Sequence, residues 1–299
     1  MTADDPRDYD YVPAREPDDR ACRARYWRVA MGLQAVDGLT PSPYLRRLAD
    51  GNIAGDLSLE ETGALVRSYH RPGGDAEAAG VGDAHREADL VSQRIAELLS
   101  RGAFALVPSM PSIIHAALFQ DLDADVYHPG EHKKVTLVKQ EAILNGDSVL
   151  YADPALVEPS LAYLFEEEAA RSYGCEMRGG DLEAFARLIA RLWQVHPFVE
   201  GNTRTVAVFS ELYLAYLGFS VGNDPFERHA RFFRDALVRA NYRNAAARVL
   251  PDLAPLTAFY DSLLNGAAPD FSSEELRCQA LFDDPSLLRN VSPSQALER

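Results

Sequence analysis

Residues 196–204 read His-Pro-Phe-Val-Glu-Gly-Asn-Thr-Arg and lie between two amphipathic segments. Apolar residues recur at helical spacing over 182–195 before this stretch and over 202–217 after it. Pro197 cannot continue the first helix, and the second begins near Asn202. The sequence therefore predicts a helix–loop–helix whose short polar loop sits at a helix N-terminus.

The loop combines residue types that suit a phosphate-bearing ligand. Free backbone N–H groups and the positive end of the helix dipole favour an anion, and Gly201 lets the backbone approach it closely. Arg204 adds a forked donor for phosphate oxygens, Glu200 offers a hard oxygen ligand suited to magnesium, and His196 can accept a proton near neutral pH. Each of these residues alone is more often structural, so the indication comes from their ordered combination.

The remaining periodicity is mostly helical. Short helices are predicted to open at Ser42 and at Ser58, the latter with Glu61 in a capping-box pattern. Further helices are predicted around 87–99, 111–119, 158–172 and 226–247. The exception is the stretch 135–151, where Asn145-Gly146 between extended segments predicts a β-hairpin. Polar stretches divide the chain into a disordered N-terminus (1–19), a helical module (20–70), a linker (71–86), a main domain (87–265) and a polar C-terminal tail (266–299).

Composition narrows the function classes. The chain of 299 residues has a formal net charge of -15, which disfavours direct binding of nucleic acid. Its three cysteines, Cys22, Cys175 and Cys278, have no metal-ligand spacing. No run of about 18 apolar residues indicates a membrane span, and we expect a cytoplasmic protein without a membrane partner.

The loop resembles the signature of the Fic family, His-Pro-Phe-x-(Asp/Glu)-Gly-Asn-Gly-Arg-x-x-Arg, at all specified positions except two. The resemblance implies an all-α Fic fold: a helical bundle core with one β-hairpin flap, preceded by a small helical module. It also implies transfer of AMP from ATP, with Mg²⁺, to a Tyr, Ser or Thr hydroxyl of a target protein. His196 would be the base, and Glu200 would hold the metal.

The resemblance assigns further roles by position. The catalytic set would be His196, Glu200, Asn202 and Arg204. Nucleotide contacts would come from Gly201, Asn202, Thr203 and Arg204. Asn241 and Tyr242, on a later helix, could face the base, although a packed helix end fits them equally well. The flap, which would hold a target segment as an added strand, would comprise Ile143, Leu144, Asn145, Gly146, Asp147, Ser148, Val149 and Leu150.

Two positions depart from the signature. Thr203 replaces the second glycine, but its backbone N–H survives. Ala207 replaces the final arginine, which in the family contacts the γ-phosphate and pairs with an inhibitory glutamate. This loss leaves open a different nucleotide donor, or a Fic-fold regulatory or interaction protein with weak or no transfer.

Residues 20–70 resemble the small antitoxins that pair with some Fic toxins, here fused in cis. Those antitoxins place a Ser/Thr-x-x-x-Glu-Gly helix over the nucleotide site, and the aligned residues are Leu33 and Asp37-Gly38. With Ala207 and the shortened carboxylate of Asp37, we expect the inhibitory ion pair to be lost from both sides. An ordinary three-helix cap fits this module equally well, and a homo-oligomer is left open.

Overall fold

A computed structural model of the chain describes residues 20–78, 80–221, 225–266 and 270–289. These ranges contain no β-strand, so the predicted all-α class is confirmed. The α-helices are α1 (Arg20–Gly32), α2 (Pro43–Ala54), α3 (Leu59–Tyr69), α4 (Asp75–Ala78), α5 (Asp83–Arg101), α6 (Met110–Phe119), α7 (Ala124–Tyr127), α8 (Val157–Ala169), α9 (Gly180–Val195), α10 (Asn202–Tyr216), α11 (Phe226–Asn241), α12 (Ala254–Asn265) and α13 (Gln279–Asp283). Short 3₁₀ helices cover Leu33–Asp37, Ala142–Leu144, Pro154–Leu156, Ser273–Leu276 and Pro285–Leu287.

Helix α10 lies at the centre of the bundle. Its residues from Asn202 to Leu214 are all buried, and it packs against α5, α6 and α9. A helix that is buried all round belongs inside a core. The ring of Tyr213 stacks with that of Phe185 on α9, with centroids 6.0 Å apart. The helix that follows the polar loop is therefore fixed by packing against α5, α6 and α9.

The front helices α1, α2 and α3 share this core. Helix α1 lies along α5 and also contacts α11, and the buried Trp27 Nε1 donates to Asn52 Oδ1 at 2.9 Å. Both predicted helix starts are confirmed, because Ser42 caps α2 and Ser58 forms a capping box with Glu61 in α3. One hydrophobic cluster runs through the front helices and the rest of the bundle.

The domain limits at 70, 86 and 265 stay predictions. Helix α4 and the first residues of α5 fall within the expected linker. The expected disordered N-terminus, residues 1–19, lies outside the described part of the chain.

The predicted β-hairpin is wrong. The chain does reverse direction over 141–147, where Glu141 N donates to Asp147 O at 3.0 Å. However, the turn contains the 3₁₀ helix Ala142–Leu144, and no strand flanks it in the described residues. Asn145 and Gly146 have φ of 54° and 89°. An Asn-Gly pair suits any turn that needs left-handed backbone, so here it ends a 3₁₀ turn.

The described C-terminal segment, 270–289, packs on this turn. Cys278 N donates to Ile143 O at 2.9 Å, and Asn145 Nδ2 donates to Leu281 O at 2.9 Å. Leu281 is fully buried. Polar composition predicted a tail, but a few apolar residues give this segment a buried side that braces the turn.

Gly32 is predicted to be essential for the packing of α1 on α11. A Cβ at this position would lie 2.5 Å from Glu227 Cα and from Phe226 O, and backbone atoms cannot rotate away. Gly32→Ala is expected to lower the free energy of unfolding by about 1–3 kcal/mol, the usual effect of overpacking. Chemical denaturation followed by circular dichroism measures the change. Gly180→Ala is the matched control, because Gly180 also lies in a helix, α9, and a Cβ there meets no atom within 4 Å; an equal loss in both variants would contradict the packing argument.

Candidate active site at the start of α10

The loop between α9 and α10 follows a restricted backbone path. His196 ends α9 with φ of 49°, a left-handed conformation that is uncommon for a residue with a Cβ. Gly201 precedes α10 with φ of 74°, and a Cβ there would collide with the ring of Phe119. Glycine at 201 is therefore required by both its backbone angle and its packing.

Neighbouring side chains hold the loop backbone in place. Asn202 Oδ1 accepts from Phe198 N at 3.0 Å, and Asn202 Nδ2 donates to Phe198 O at 2.7 Å. His115 Nδ1 accepts from Gly130 N at 2.9 Å, so its Nε2 carries the proton and donates to Glu200 O at 3.1 Å. Burial lowers the pKa of His115 to about 4, which keeps the ring neutral. His115 is thus a positioning residue for the Glu200 backbone.

The loop lines a cavity of about 230 Å³. Of the predicted catalytic residues, His196, Glu200 and Asn202 line this cavity. It lies at the N-terminal end of α10, where the first backbone N–H groups have no partner within the helix. The lining residues are Asp37, Leu137, Val138, Lys139, Trp193, His196, Val199, Glu200, Gly201, Asn202, Thr203 and Arg234.

His196 is buried and uncharged at neutral pH. The residue is 6% exposed, its ring stacks on that of Tyr151 with centroids 3.9 Å apart, and its Nδ1 has no hydrogen-bond partner among the described residues. Burial, and then the positive charges of Lys133 and Lys139, hold the pKa of His196 well below 6.5. A neutral imidazole with an unpartnered nitrogen is suited to accept a proton.

Arg204 is buried, and its charge is already compensated. Its side chain is 1% exposed and lies 5.0 Å from the centroid of the Phe119 ring. Nη2 donates to Glu87 Oε1 at 2.7 Å, and Nη1 donates to Gln34 Oε1 at 3.3 Å. Nε lies 3.0 Å from Asp37 Oδ2, an ion pair that is not aligned as a hydrogen bond. The ion pair with the last motif position is absent, as expected, because Ala207 carries no charge. Asp37 pairs instead with the first motif arginine, Arg204, a contact that the sequence did not predict.

Asp37 enters the cavity wall at the end of its 3₁₀ helix, where Gly38 follows with φ of 71°. Lys139 Nζ lies 3.7 Å from Asp37 Oδ1, on the side opposite the pairing with Arg204. Arg234 Nη1 donates to Val36 O at 3.2 Å and so fixes the backbone beside Asp37. One carboxylate thus contacts two cations.

The two departures from the signature have structural explanations of different kinds. Thr203 Oγ1 accepts from the buried Trp193 Nε1 at 3.0 Å, while the Thr203 backbone N–H remains in the first turn of α10. Ala207 is fully buried in the core and does not line the cavity.

The structure does not bring Asn241 and Tyr242 to this cavity. Tyr242 is fully buried and donates its hydroxyl to Asp147 Oδ2 at 2.6 Å. Asn241 Nδ2 donates to Ala190 O at 2.9 Å. Of the two roles considered for these residues, contact with a nucleobase or packing of a helix end, their contacts fit the second, because they brace the end of α11.

The predicted docking flap, residues 143–150, is also mostly turned inward. Ile143, Leu144, Asp147, Ser148 and Val149 are buried. Arg289 Nε lies 3.1 Å from Asp147 Oδ2 and so ties the turn to the C-terminal segment. The cavity is lined instead by the preceding residues 137–139.

Sequence reasoning missed several charged residues around the site. Lys133 is 3% exposed; its N–H donates to Pro197 O at 2.7 Å, its Nζ donates to Val195 O at 3.3 Å, and burial lowers its pKa to about 8. One sequence signal was available, since all three lysines of the chain fall within 133–139. The residues missed are Glu87, Lys133, Lys139 and Arg234.

The cavity fits a metal that arrives with phosphates. Within the described ranges, no three His, Cys, Asp or Glu side chains converge as a metal site. Glu200 nevertheless lines the cavity. Magnesium in nucleotide sites is usually held by one or two carboxylates together with substrate phosphates, so Glu200 suits that role.

Thr203 is expected to stabilise the protein through its hydroxyl. Thr203→Val should lower the free energy of unfolding by about 1–3 kcal/mol, because the buried Trp193 N–H loses its acceptor. Thr203→Gly, which restores the signature, should also destabilise the chain for this reason. Thr203→Ser keeps the hydroxyl and serves as the control. Urea unfolding followed by tryptophan fluorescence measures all three, and equal stability of the Val and Ser variants would contradict the assignment.

Comparison with known proteins gives a family match for part of the chain. The sequence model of the Fic/DOC family matches residues 112–214. A probable protein adenylyltransferase of Sinorhizobium fredii (strain NBRC 101917 / NGR234) is 34% identical over 109 residues, which are 35% of this chain and 50% of that protein. The match thus spans about half the length of this curated relative.

Two solved structures are also similar. A Fic domain containing signaling protein from Bacteroides thetaiotaomicron is 15% identical, with 87% of this chain and 97% of that chain covered and a TM-score of 0.47. A Fic family protein from Desulfovibrio desulfuricans is 14% identical, with 91% of this chain and 68% of that chain covered and a TM-score of 0.46.

None of the helices in the described ranges has the length and apolar character of a membrane span. The motif at 196–204 and the family match around it show that the chain contains a Fic/DOC family domain.

Proposed function

We propose that this chain transfers AMP from ATP to a hydroxyl side chain of a target protein. The observation that carries the proposal is that buried, uncharged His196 faces the same cavity as the N-terminus of α10. A proton acceptor beside an anion site is what transfer of a phosphate-containing group requires. The family match and the name of the Sinorhizobium fredii relative support protein nucleotidyl transfer as the reaction class.

The nucleotide phosphates would bind at the start of α10. The first N–H groups of this helix, including those of Asn202 and Thr203, have no partner within the helix, and they lie at the positive end of its dipole. Arg204 would supply a cation once Asp37 leaves it. Magnesium, held by Glu200 together with the phosphates, would neutralise part of their charge.

The proposed reaction is an in-line substitution at phosphorus. The target hydroxyl oxygen attacks the α-phosphorus of ATP, and its proton passes to His196. A phosphoester bond to the target forms, the bond from the α-phosphorus to the oxygen bridging the β-phosphate breaks, and pyrophosphate leaves. Backbone N–H groups of α10 meet the negative charge that develops on the phosphoryl oxygens.

The target segment would bind beside residues 137–139. Leu137 and Val138 line the cavity, and their backbones make no hydrogen bond to another backbone group in the described residues. Unpaired backbone can bind a partner chain by strand addition. The predicted docking segment 143–150 is less suited to this, because its own turn and the C-terminal segment engage several of its residues.

The front helices would restrain the enzyme through Asp37. Its carboxylate lies against Arg204, and the cavity of about 230 Å³ is smaller than the roughly 300–1,000 Å³ of most small-molecule sites. A nucleotide must therefore displace Asp37, with the turn at Gly38 as the point where the backbone can move. The proposed restraint is therefore inhibition in cis by Asp37, an aspartate at the position where the antitoxins have glutamate.

Transfer is tested by intact mass after incubation with magnesium, each nucleoside triphosphate and a cell lysate. We expect a gain of one AMP on the chain or on a lysate protein with ATP. His196→Ala should abolish the gain, because the hydroxyl then loses its base. His85→Ala, at a half-buried histidine outside the cavity whose Nδ1 contacts Thr40 O, is the matched control and should keep it.

The other outcomes of this experiment are equally informative. A nucleoside monophosphate gain from a triphosphate other than ATP would keep transfer and change the donor. No gain with any donor, in the wild type and in Asp37→Ala alike, would overturn transfer and leave a Fic-fold regulatory or binding protein.

Removing the restraining carboxylate should strengthen nucleotide binding. Asp37→Ala is expected to lower the Kd for Mg·ATP about tenfold, which corresponds to about 1.4 kcal/mol, because it removes the anion that competes for Arg204. Isothermal titration calorimetry measures the change. Asp56→Ala, an exposed aspartate between α2 and α3, controls for loss of one negative charge. Equal affinity of Asp37→Ala and the wild type would contradict the restraint.

A further inference from the structure

The substitution at position 207 leaves the nucleotide site one cation short. The Fic signature has its last arginine there, whereas this chain has Ala207, which is buried and outside the cavity. A nucleoside triphosphate brings several negative charges, and its terminal phosphates lie farthest from the base. Charge matching therefore requires a cation from another part of the chain.

We propose that Lys139 binds the terminal phosphates of the nucleotide in place of the missing arginine, an inference that rests on the proposed function. Lys139 lines the same cavity as His196 and the start of α10. It reaches the cavity from the segment before the 141–147 turn, not from α10. The signature therefore contains no position that could have shown it.

The carboxylate of Asp37 lies between Arg204 and Lys139 and shows where an anion can contact both. It lies 3.0 Å from Arg204 Nε and 3.7 Å from Lys139 Nζ. Carboxylate and phosphate oxygens bind the same cations with similar geometry. A phosphate group that displaces Asp37 would therefore meet both Arg204 and Lys139.

If a phosphate displaced Asp37, Lys139 would be left without an acidic partner. Among the described residues, its ammonium has an ion pair within 4.0 Å only with Asp37. Arg234, which also lines the cavity, stays paired, because its Nη2 donates to Glu141 Oε2 at 2.7 Å. Loss of Asp37 would expose the charge of Lys139 to the cavity, where a phosphate can take it.

The lysine content of the chain allows a direct test. Only Lys133, Lys134 and Lys139 are lysines, so acetylation by a dilute amine-reactive reagent can be followed residue by residue with peptide mass spectrometry. We expect α,β-methylene ATP with magnesium to slow acetylation of Lys139 at least fivefold. AMP, which lacks the terminal phosphates, should leave that rate unchanged. Lys134, whose side chain is 82% exposed, is the internal control and should react equally in every sample.

A binding measurement separates this inference from the proposed function. Lys139→Met should raise the Kd for α,β-methylene ATP about tenfold and leave the Kd for AMP unchanged, whereas Lys134→Met should change neither. If the wild type binds the analogue but Lys139 is neither protected nor needed for affinity, the role of Lys139 is overturned and the proposed function stands. If the analogue binds neither the wild type nor Asp37→Ala, the nucleotide site itself is refuted and the role of Lys139 with it.

Discussion

The buried guanidinium of Arg204 is the constraint on which the rest of the site depends. A cation removed from water must be paired and hydrogen-bonded, or the free energy of folding rises by several kcal/mol. Arg204 meets this condition with Glu87 from α5 and with Gln34 and Asp37 from the front 3₁₀ helix. Since Arg204 lies in the first turn of α10, the contacts that compensate its charge also join the front helices to the helix that follows the catalytic loop.

If phosphates bind at the start of α10, as proposed, this arrangement makes their binding an exchange with Asp37. Arg204 is already paired with Asp37. A phosphate that bound at the start of α10 would therefore have to replace the negative charge of Asp37 beside the guanidinium. Glu87 can stay, because its contact is with Nη2 on another part of the fork. Arg234 Nη1 donates to Val36 O, next to Asp37, so displacement of Asp37 would have to leave or break this contact. The same few contacts therefore govern the stability of the front helices and the accessibility of the site.

The local features of the site could be predicted from the sequence, but the convergence of its parts could not. The order of residues in 196–204 indicated a base beside a helix N-terminus, and the cap at Ser58 is confirmed, because such features depend on a few consecutive residues. The turn at Asn145 was misassigned, since left-handed backbone suits several turns. The pairing of Arg204 with Glu87 joins residues 117 positions apart, and no local pattern reports it.

The two departures from the Fic signature have different consequences for this exchange. The Thr203 hydroxyl points into the core and accepts from Trp193 Nε1. This contact stabilises the first turn of α10, and the backbone N–H of Thr203 is left for an anion. Ala207 carries no charge, and in the part of the chain that the structure describes the carboxylate of Asp37 pairs with Arg204 and Lys139. The carboxylate of Asp37 and the phosphates of the proposed nucleotide would consequently need the same two cations. The restraint proposed for this chain would therefore act by direct competition for charge, and its strength should depend on how many phosphates a nucleotide brings.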